Sequence, residues 1–450
     1  MPGAPRRSAL ALLAICSLAA GTLAACGSGP SGGPAVVTVL GSWTGDEQAG
    51  FLAMVRGFEH RTGIQVDYTG TRDADAVLAS DLKDGSPPDL AVLSRPGELR
   101  QDAADGTLVP IDAALSQQQL TRQYTPGWRS LMQAAGPSGA RHYYAIIVKA
   151  ALKSVIWYDP ARFPAADLST LTSPGLTWNR LTTLVHKLAR GGMTPWCLGL
   201  EDSSDSGWPG TDWIEDIVLH RSGPAVYDQW IAGTLPWTSA PIRRAWQIFG
   251  SVATTPGLVR GGPAAALVTS YGQAGQPLFT RPPGCYLDHE ASFITAFYAQ
   301  DHLGSSRHAR PRPRTDFDFI KFPPLSPAGQ GTAEVAGDLL GMFRDTPAAR
   351  KLIGYLTTPA AQEAWIRRPG SGAISVNRLV PLGDYPDPVS RELAADLLST
   401  VSVRFDASDS MPQIMENAFN NAVLEYLDDP GQLGVILSGL DQVRKASYGS

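Results

Sequence analysis

The chain has 450 residues, with 42 Asp and Glu against 37 Lys and Arg and a formal net charge of −5. That mildly acidic balance leaves no electrostatic footprint for nucleic acid, and the length exceeds what one hydrophobic core ordinarily organises, so two domains are expected. Beyond the first 25 residues no stretch is apolar over the roughly 18 residues that a membrane-spanning helix needs.

The N-terminus reads as a targeting segment. Arg6 and Arg7 form a short positive region, and Ser8 to Ala20 is apolar. Leu23-Ala24-Ala25-Cys26 then supplies small residues before a cysteine, the order of a secretory signal and its cleavage site. Leu-Ala-Ala-Cys resembles the bacterial lipobox. That resemblance implies a lipoprotein signal peptide over 1–25 and lipidation of Cys26. The Gly/Ser/Pro run that follows makes 26–35 a flexible linker. A mature chain starting at Cys26 loses two arginines and no acid, which leaves a net charge of about −7. It would sit outside the cell, held to the membrane by the lipid anchor only.

Next, Val36 to Leu40 is a β-branched apolar run and predicts a strand, and Gly41 to Asp46 a polar turn. Phe51, Met54, Val55 and Phe58 recur at helical spacing, and Gly63 ends that helix. Ile64, Val66 and Tyr68 alternate as a strand. Val77, Leu78 and Leu82 suggest a second helix, broken at Gly85-Ser86-Pro87-Pro88. Asp89 to Leu93 predicts a third strand. Such alternation argues for a parallel sheet covered on both faces, with ligands bound at the carboxyl ends of its strands. Trp43, Glu47 and Asp89 are placed near such ends.

A second region begins near Ala150, with a strand over Ser154 to Tyr158 and a helical stripe of Leu181, Leu184, Val185 and Leu188. Asp316 to Phe322 alternates as a strand. Thr346-Pro347 and Thr358-Pro359 each read as a helix N-cap followed by a first-turn proline. The basic, proline-rich run Arg307 to Arg314 reads as an exposed loop. Of the mature cysteines, Cys197 and Cys285 remain as an even pair beside Cys26. In an oxidising exterior they read as one disulfide, two separate buried thiols being the alternative. No CxxC or HxxxH spacing suggests zinc, and no cofactor is expected.

In order, these segments are a lipobox, VTVLGSWTGDEQAGF, PPDLAVL, KSVIWYDPARF, GWPGTDWIED, AGDLLGMF, TPAARKLIGYLTTPAAQEAW and GSGAISVN. The set resembles the carbohydrate-binding lipoproteins of bacterial ABC importers, the maltose-binding-like group. The resemblance implies an α/β, two-lobed periplasmic-binding-protein-like fold (type II) with an interlobe hinge and a ligand cleft. It places lobe one at 36–148 and 324–372, and lobe two at 149–323 and 373–450. The chain would cross near Ile147–Ala150, Phe322–Pro324 and Gly370–Ala373. The function implied is capture of a sugar, an α-glucoside or oligosaccharide such as maltose or trehalose, by a monomer that hands it to an ABC permease.

A sugar needs flat apolar surfaces for its C–H faces and fixed polar groups for its hydroxyl rim. Gly207 to Asp216 offers both. Trp208, beside glycines, is a candidate platform. Trp213 reads equally as core or site. Asp212 reads as a ligand group or as the cap of a helix over Trp213 to Leu219. By resemblance Glu290 belongs to a second-lobe strand end at the cleft, its alternative being a solvated strand edge. Asp338 belongs by the same resemblance to a cleft-facing turn, Trp43 and Glu47 to first-loop contacts, and Gly372 to a hinge turn. Trp196, Trp237 and Trp365 read as core more than platform. The rivals are a receptor of the same fold for a non-sugar solute and a glycoside hydrolase, which needs two carboxyls flanking the bond. No H-E-x-x-H motif is present.

Overall fold

The computed structural model describes residues 35–299, 310–400 and 402–448. The signal segment, Cys26, most of the linker and the first part of the basic run lie outside the described residues. Among the described residues twelve strands occur: β1 (Val36–Gly41), β2 (Gln65–Gly70), β3 (Leu90–Leu93), β4 (Gln133–Ala135), β5 (Arg141–Tyr143), β6 (Ala145–Leu152), β7 (Val155–Tyr158), β8 (Trp196–Cys197), β9 (Leu287–His289), β10 (Asp318–Lys321), β11 (Thr332–Met342) and β12 (Ser402–Phe405).

Local signals set the elements where the sequence placed them. The helix Gly45–Thr62 buries Phe51, Met54, Val55 and Phe58 and stops at Gly63, whose φ of 69° suits a residue without a Cβ. The Thr346 and Thr358 hydroxyls accept from the Ala349 and Ala361 amides at 3.1 and 3.3 Å, each capping a helix that begins with proline.

The sheets depart from the parallel expectation where strands remote in sequence meet, and in the second sheet β7 runs antiparallel to both β9 and β10. The first has the order β12-β11-β3-β1-β2, with β6 also paired to β11. Its β1–β2, β1–β3 and β11–β12 pairs are parallel, but β11 runs antiparallel to both β3 and β6. The βαβ units at the start of the chain give the two parallel pairs of β1. β11 enters from a different part of the molecule, so no short crossover fixes its direction. The second sheet has the order β10-β7-β9-β8. The chain passes from the first sheet to the second between β6 and β7, across Lys153 and Ser154 alone. Two hydrophobic clusters accompany the sheets. One holds the residues of β1, β3, β6 and β11, and the other packs the helices Trp208–Ser222, Ala240–Ala253 and Gln413–Asp428.

Cys197 in β8 and Cys285 before β9 form a disulfide across a sequence separation of 88, so the pairing reading holds over two separate thiols. No helix among the described residues is long and apolar enough to cross a membrane.

Candidate ligand-binding site

A cavity of about 190 Å³ opens beyond the carboxyl end of β1, beside β6 and β11 and facing the start of helix Trp208–Ser222. Two buried lysines organise its walls. Lys149 lies in β6 directly opposite Asp338 in β11. Its Nζ donates to Glu47 Oε1 at 2.6 Å and stands 3.3 Å from Asp338 Oδ2. Glu47 also accepts from Arg72 at 2.7 Å, and Trp43 Nε1 donates to Asp338 at 2.8 Å. Burial works against the charged form of Lys149, but Glu47 and Asp338 outweigh it and hold the ammonium above its ordinary pKa. Burial likewise opposes ionisation of Glu47, and Lys149 with Arg72 overcomes it, so that carboxyl stays below the usual range. The group is therefore a set of ion pairs made within the protein.

Lys153 is the second centre. Its Nζ donates to Asp212 Oδ1 at 2.7 Å and also to Asp406, and it lies 5.3 Å from the Trp208 ring centre. Burial pushes the Asp212 carboxyl up to about 8 against the pull of Lys153. In Asp406 the same lysine prevails over burial and holds the pKa low. An oxygen of Glu334 joins those of Asp212 and Asp406 within 4.8 Å, an oxygen-only trio of the kind that could hold a metal ion. Lys153 already bonds two of the three, so the chain supplies its own cation there. Neither Glu334 carboxylate oxygen has a hydrogen-bond partner, and burial together with Glu215 holds its pKa well above the ordinary value, favouring the neutral acid.

The apolar part of the wall is a group of rings. Trp208 packs edge-on against Tyr271 at 4.9 Å and tilted against Phe293 at 6.0 Å, and its Nε1 donates to Asp202 at 2.8 Å. The indole is half-buried and its orientation is fixed by Lys153, Tyr271 and Asp202 together. It can present a flat surface at little further loss of freedom.

Of the residues read from sequence, Trp43, Glu47, Trp208 and Asp338 line the cavity together. Trp43, 1% exposed, is enclosed by Phe51, Tyr68 and Trp365, so it supports Asp338 and is no free platform. Asp212 stands behind the wall as the partner of Lys153. It is not a helix cap, because the helix starts at Trp208 and not Trp213. Gly207, with φ of 113°, caps it, and Pro209 is tolerated in a first turn. Trp213 packs against Trp196 and His289 with ring centres 4.9 and 4.5 Å away, and is core. Trp196 and Trp237 are core as well, and Trp365 packs behind Trp43. Glu290 is buried behind the cavity, its carbonyl accepting from Trp157 at 2.8 Å and one carboxylate oxygen unpartnered. It is not a solvated edge. Asp89 is not brought to the cavity. It precedes β3, at that strand's amino end, and accepts from the Thr38 amide at 3.0 Å. Gly372, with φ of 62°, backs Phe293 and does not reach the lining.

Sequence reading missed Arg72, Arg95, Lys149, Lys153, Asp202, Tyr271 and Phe293. For the two lysines a signal was present. They interrupt an otherwise apolar run, Ala145 to Tyr158, and a charge inside such a strand must find a buried partner.

Residues 41–363 match the family of bacterial extracellular solute-binding proteins. The chain belongs to that family. It is 34% identical over 392 residues to the osmoprotective compounds-binding protein GgtB of Synechocystis sp., covering 87% of this chain and 88% of the relative. It is 33% identical over 396 residues to the alpha-glucosides-binding periplasmic protein AglE of Rhizobium meliloti, covering 87% and 83%. Among solved structures, it is similar to the bacterial solute receptor AcbH, with a TM-score of 0.76 at 19% identity over 92% of this chain and 100% of that one. A chitin oligosaccharide binding protein aligns with a TM-score of 0.75 at 17% identity, over 93% and 100%. The fold is thus the two-lobed α/β fold of extracellular solute receptors, with a ligand cleft between the lobes.

Proposed function

We propose that this solute-binding protein captures a neutral sugar of the α-glucoside class outside the cell and delivers it to an ABC permease. One observation carries the choice against an anionic ligand: each cation lining the cavity is already paired with carboxylates of the chain. Lys149 and Lys153 bond Glu47, Asp212 and Asp406, and Arg72 bonds Glu47. An anion would find no free cation. A cationic ligand would meet Lys153 beside Trp208, Lys149 beside Phe293 and Arg72 beside Phe297, at 5.3, 5.7 and 5.7 Å from the ring centres. A hydroxyl-rich neutral molecule can lay a C–H face on Trp208 and bond Asp202, Glu47 and Asp338 through their remaining lone pairs. The name of AglE, an alpha-glucosides-binding protein, favours the same class of ligand.

Lobe one would comprise 36–148 and 324–372, and lobe two 149–323 and 373–450, the last segment returning to the first sheet through β12. Ligand would close the cleft by hinge bending. Cys26 would carry the lipid anchor, and the protein would act as a monomer. Hydrolysis is not expected, since Glu47 and Asp338 both serve the Lys149 ammonium. A thermal-shift panel of neutral disaccharides, maltose and trehalose first, checks the reading. At 100 times Kd a ligand adds about 2.7 kcal/mol of stability, and chromatography should recover the sugar unchanged. A panel without any shift, or a hydrolysed sugar, would count against it.

A further inference from the structure

Arg95 lines the same cavity, yet nothing above uses it. It stands between β3 and the helix Pro96–Asp105, and its side chain is only 6% exposed. Four carboxylates surround its guanidinium. Asp75 pairs with it from the helix Ala74–Lys83, and Glu98 stands 3.4 Å away on its own helix. Both helices pack into the hydrophobic cluster of the first sheet, through Ala74, Leu78, Leu99 and Ala103. The other two carboxylates come from across the cleft. Glu416, 3.3 Å from Arg95, lies on the helix Gln413–Asp428, which buries Met415 and Phe419 in the second cluster. Asp205, at 4.0 Å, ends the turn that leads into the helix Trp208–Ser222, anchored in that cluster by Trp213 and Ile214. One buried cation therefore holds two carboxylates from each side.

The arrangement is asymmetric in charge. Burial pushes Glu98 and Glu416 each up to about 8, with Arg95 pulling both the other way. Without the guanidinium, burial would hold Glu98 and Glu416 more firmly as neutral acids, and separating the two sides would let them ionise in water. Arg95 Nε and one oxygen of Glu416 also lack partners, so the contact is not saturated. The neighbouring backbone is close on the same line. Arg100 donates to the Ser410 carbonyl, and a Cβ at Gly97 would collide with the Met411 carbonyl.

We propose that Arg95 is a positioning residue for ligand capture: by holding carboxylates of both sides it sets how far the empty cleft is closed, and through that the affinity. The affinity half rests on the solute-capture reading above. The closure half is a property of the protein without ligand and is tested separately.

Small-angle scattering on the ligand-free, disulfide-intact protein compares wild type, Arg95→Met and Glu416→Gln, each shown to be folded by circular dichroism. Arg95→Met should have a larger radius of gyration than wild type, with Glu416→Gln between them. Saturation with whichever of maltose and trehalose stabilises the wild type should return Arg95→Met to the wild-type liganded radius. That sugar should leave the variant faster and bind about tenfold more weakly, because a binding-competent form populated at one part in ten weakens the apparent Kd by that factor. An unchanged ligand-free radius in Arg95→Met overturns the proposal, and weaker binding alongside it would make Arg95 a ligand contact instead. Should Arg95→Met not fold, a wild-type radius for Glu416→Gln overturns it. If neither sugar binds the wild type, the functional reading fails while the ligand-free comparison still decides this one.

Discussion

Replacing Lys153 by methionine should destabilise the protein by about 3–5 kcal/mol, the range for removing one partner of a buried ion pair. The methionine roughly keeps the packing volume and removes only the charge. Asp212 and Asp406, which are 2% and 1% exposed, would then face each other with no cation, beside Glu334, Glu215 and Asp409. Chemical denaturation measures the loss, and its pH dependence identifies the cause. In the variant the lysine that holds Asp406 low is gone, and burial moves its folded pKa above its unfolded value of about 3.9. A carboxyl raised in this way takes up a proton on folding, so its contribution is present at low pH and is lost as pH rises through the folded pKa. The deficit should therefore narrow between about pH 8 and about pH 5. A deficit that stays constant over this range would mean lost packing, not lost charge.

Trp208→Ala should weaken sugar binding by about 2–4 kcal/mol, as for a buried aromatic anchor, or about 30- to 900-fold in Kd. The indole is half-buried, oriented by Asp202 and Lys153, and not enclosed as Trp43 is. Stability should change less than affinity, because Trp208 lies at the edge of the core and Trp213 and Trp196 remain in place. Calorimetry with the sugar found by thermal shift reads the affinity. Wild-type binding by Trp208→Ala would place the sugar elsewhere in the cleft.

What could be read in advance from the sequence was what short stretches of chain decide. The Thr346 and Thr358 caps, the stop at Gly63 and the early parallel strands each depend on neighbours within a few residues. β11 was harder, because its partners β3 and β6 are remote in sequence and its direction follows from the course of the whole chain. In the site, Trp43 and Glu47 could be found because they follow β1, and Asp338 through the resemblance to the family's cleft-facing turn. Asp89 does not reach the cavity because it stands at the amino end of β3, whereas clefts form beyond the carboxyl ends of strands. Trp213 could not be told from Trp208 because their helix is buried from Pro209 to His220, leaving no polar face to show which side chains meet the cavity. Arg72 and Arg95 sit among ordinary polar neighbours, and only the fold reveals that their partners enclose them.

Titration calorimetry at neutral pH with a neutral α-glucoside, its uronate and its amino-sugar analogue tests the central claim most directly. The wall cations are already paired within the protein and three of them stand beside the rings, so the neutral sugar should bind one to one. Each charged analogue would bring an unpaired charge into the cavity and should bind at least about tenfold more weakly, a difference of about 1.4 kcal/mol. Equal or tighter binding of the uronate or the amine, or no saturable binding of any neutral glucoside, would contradict the account.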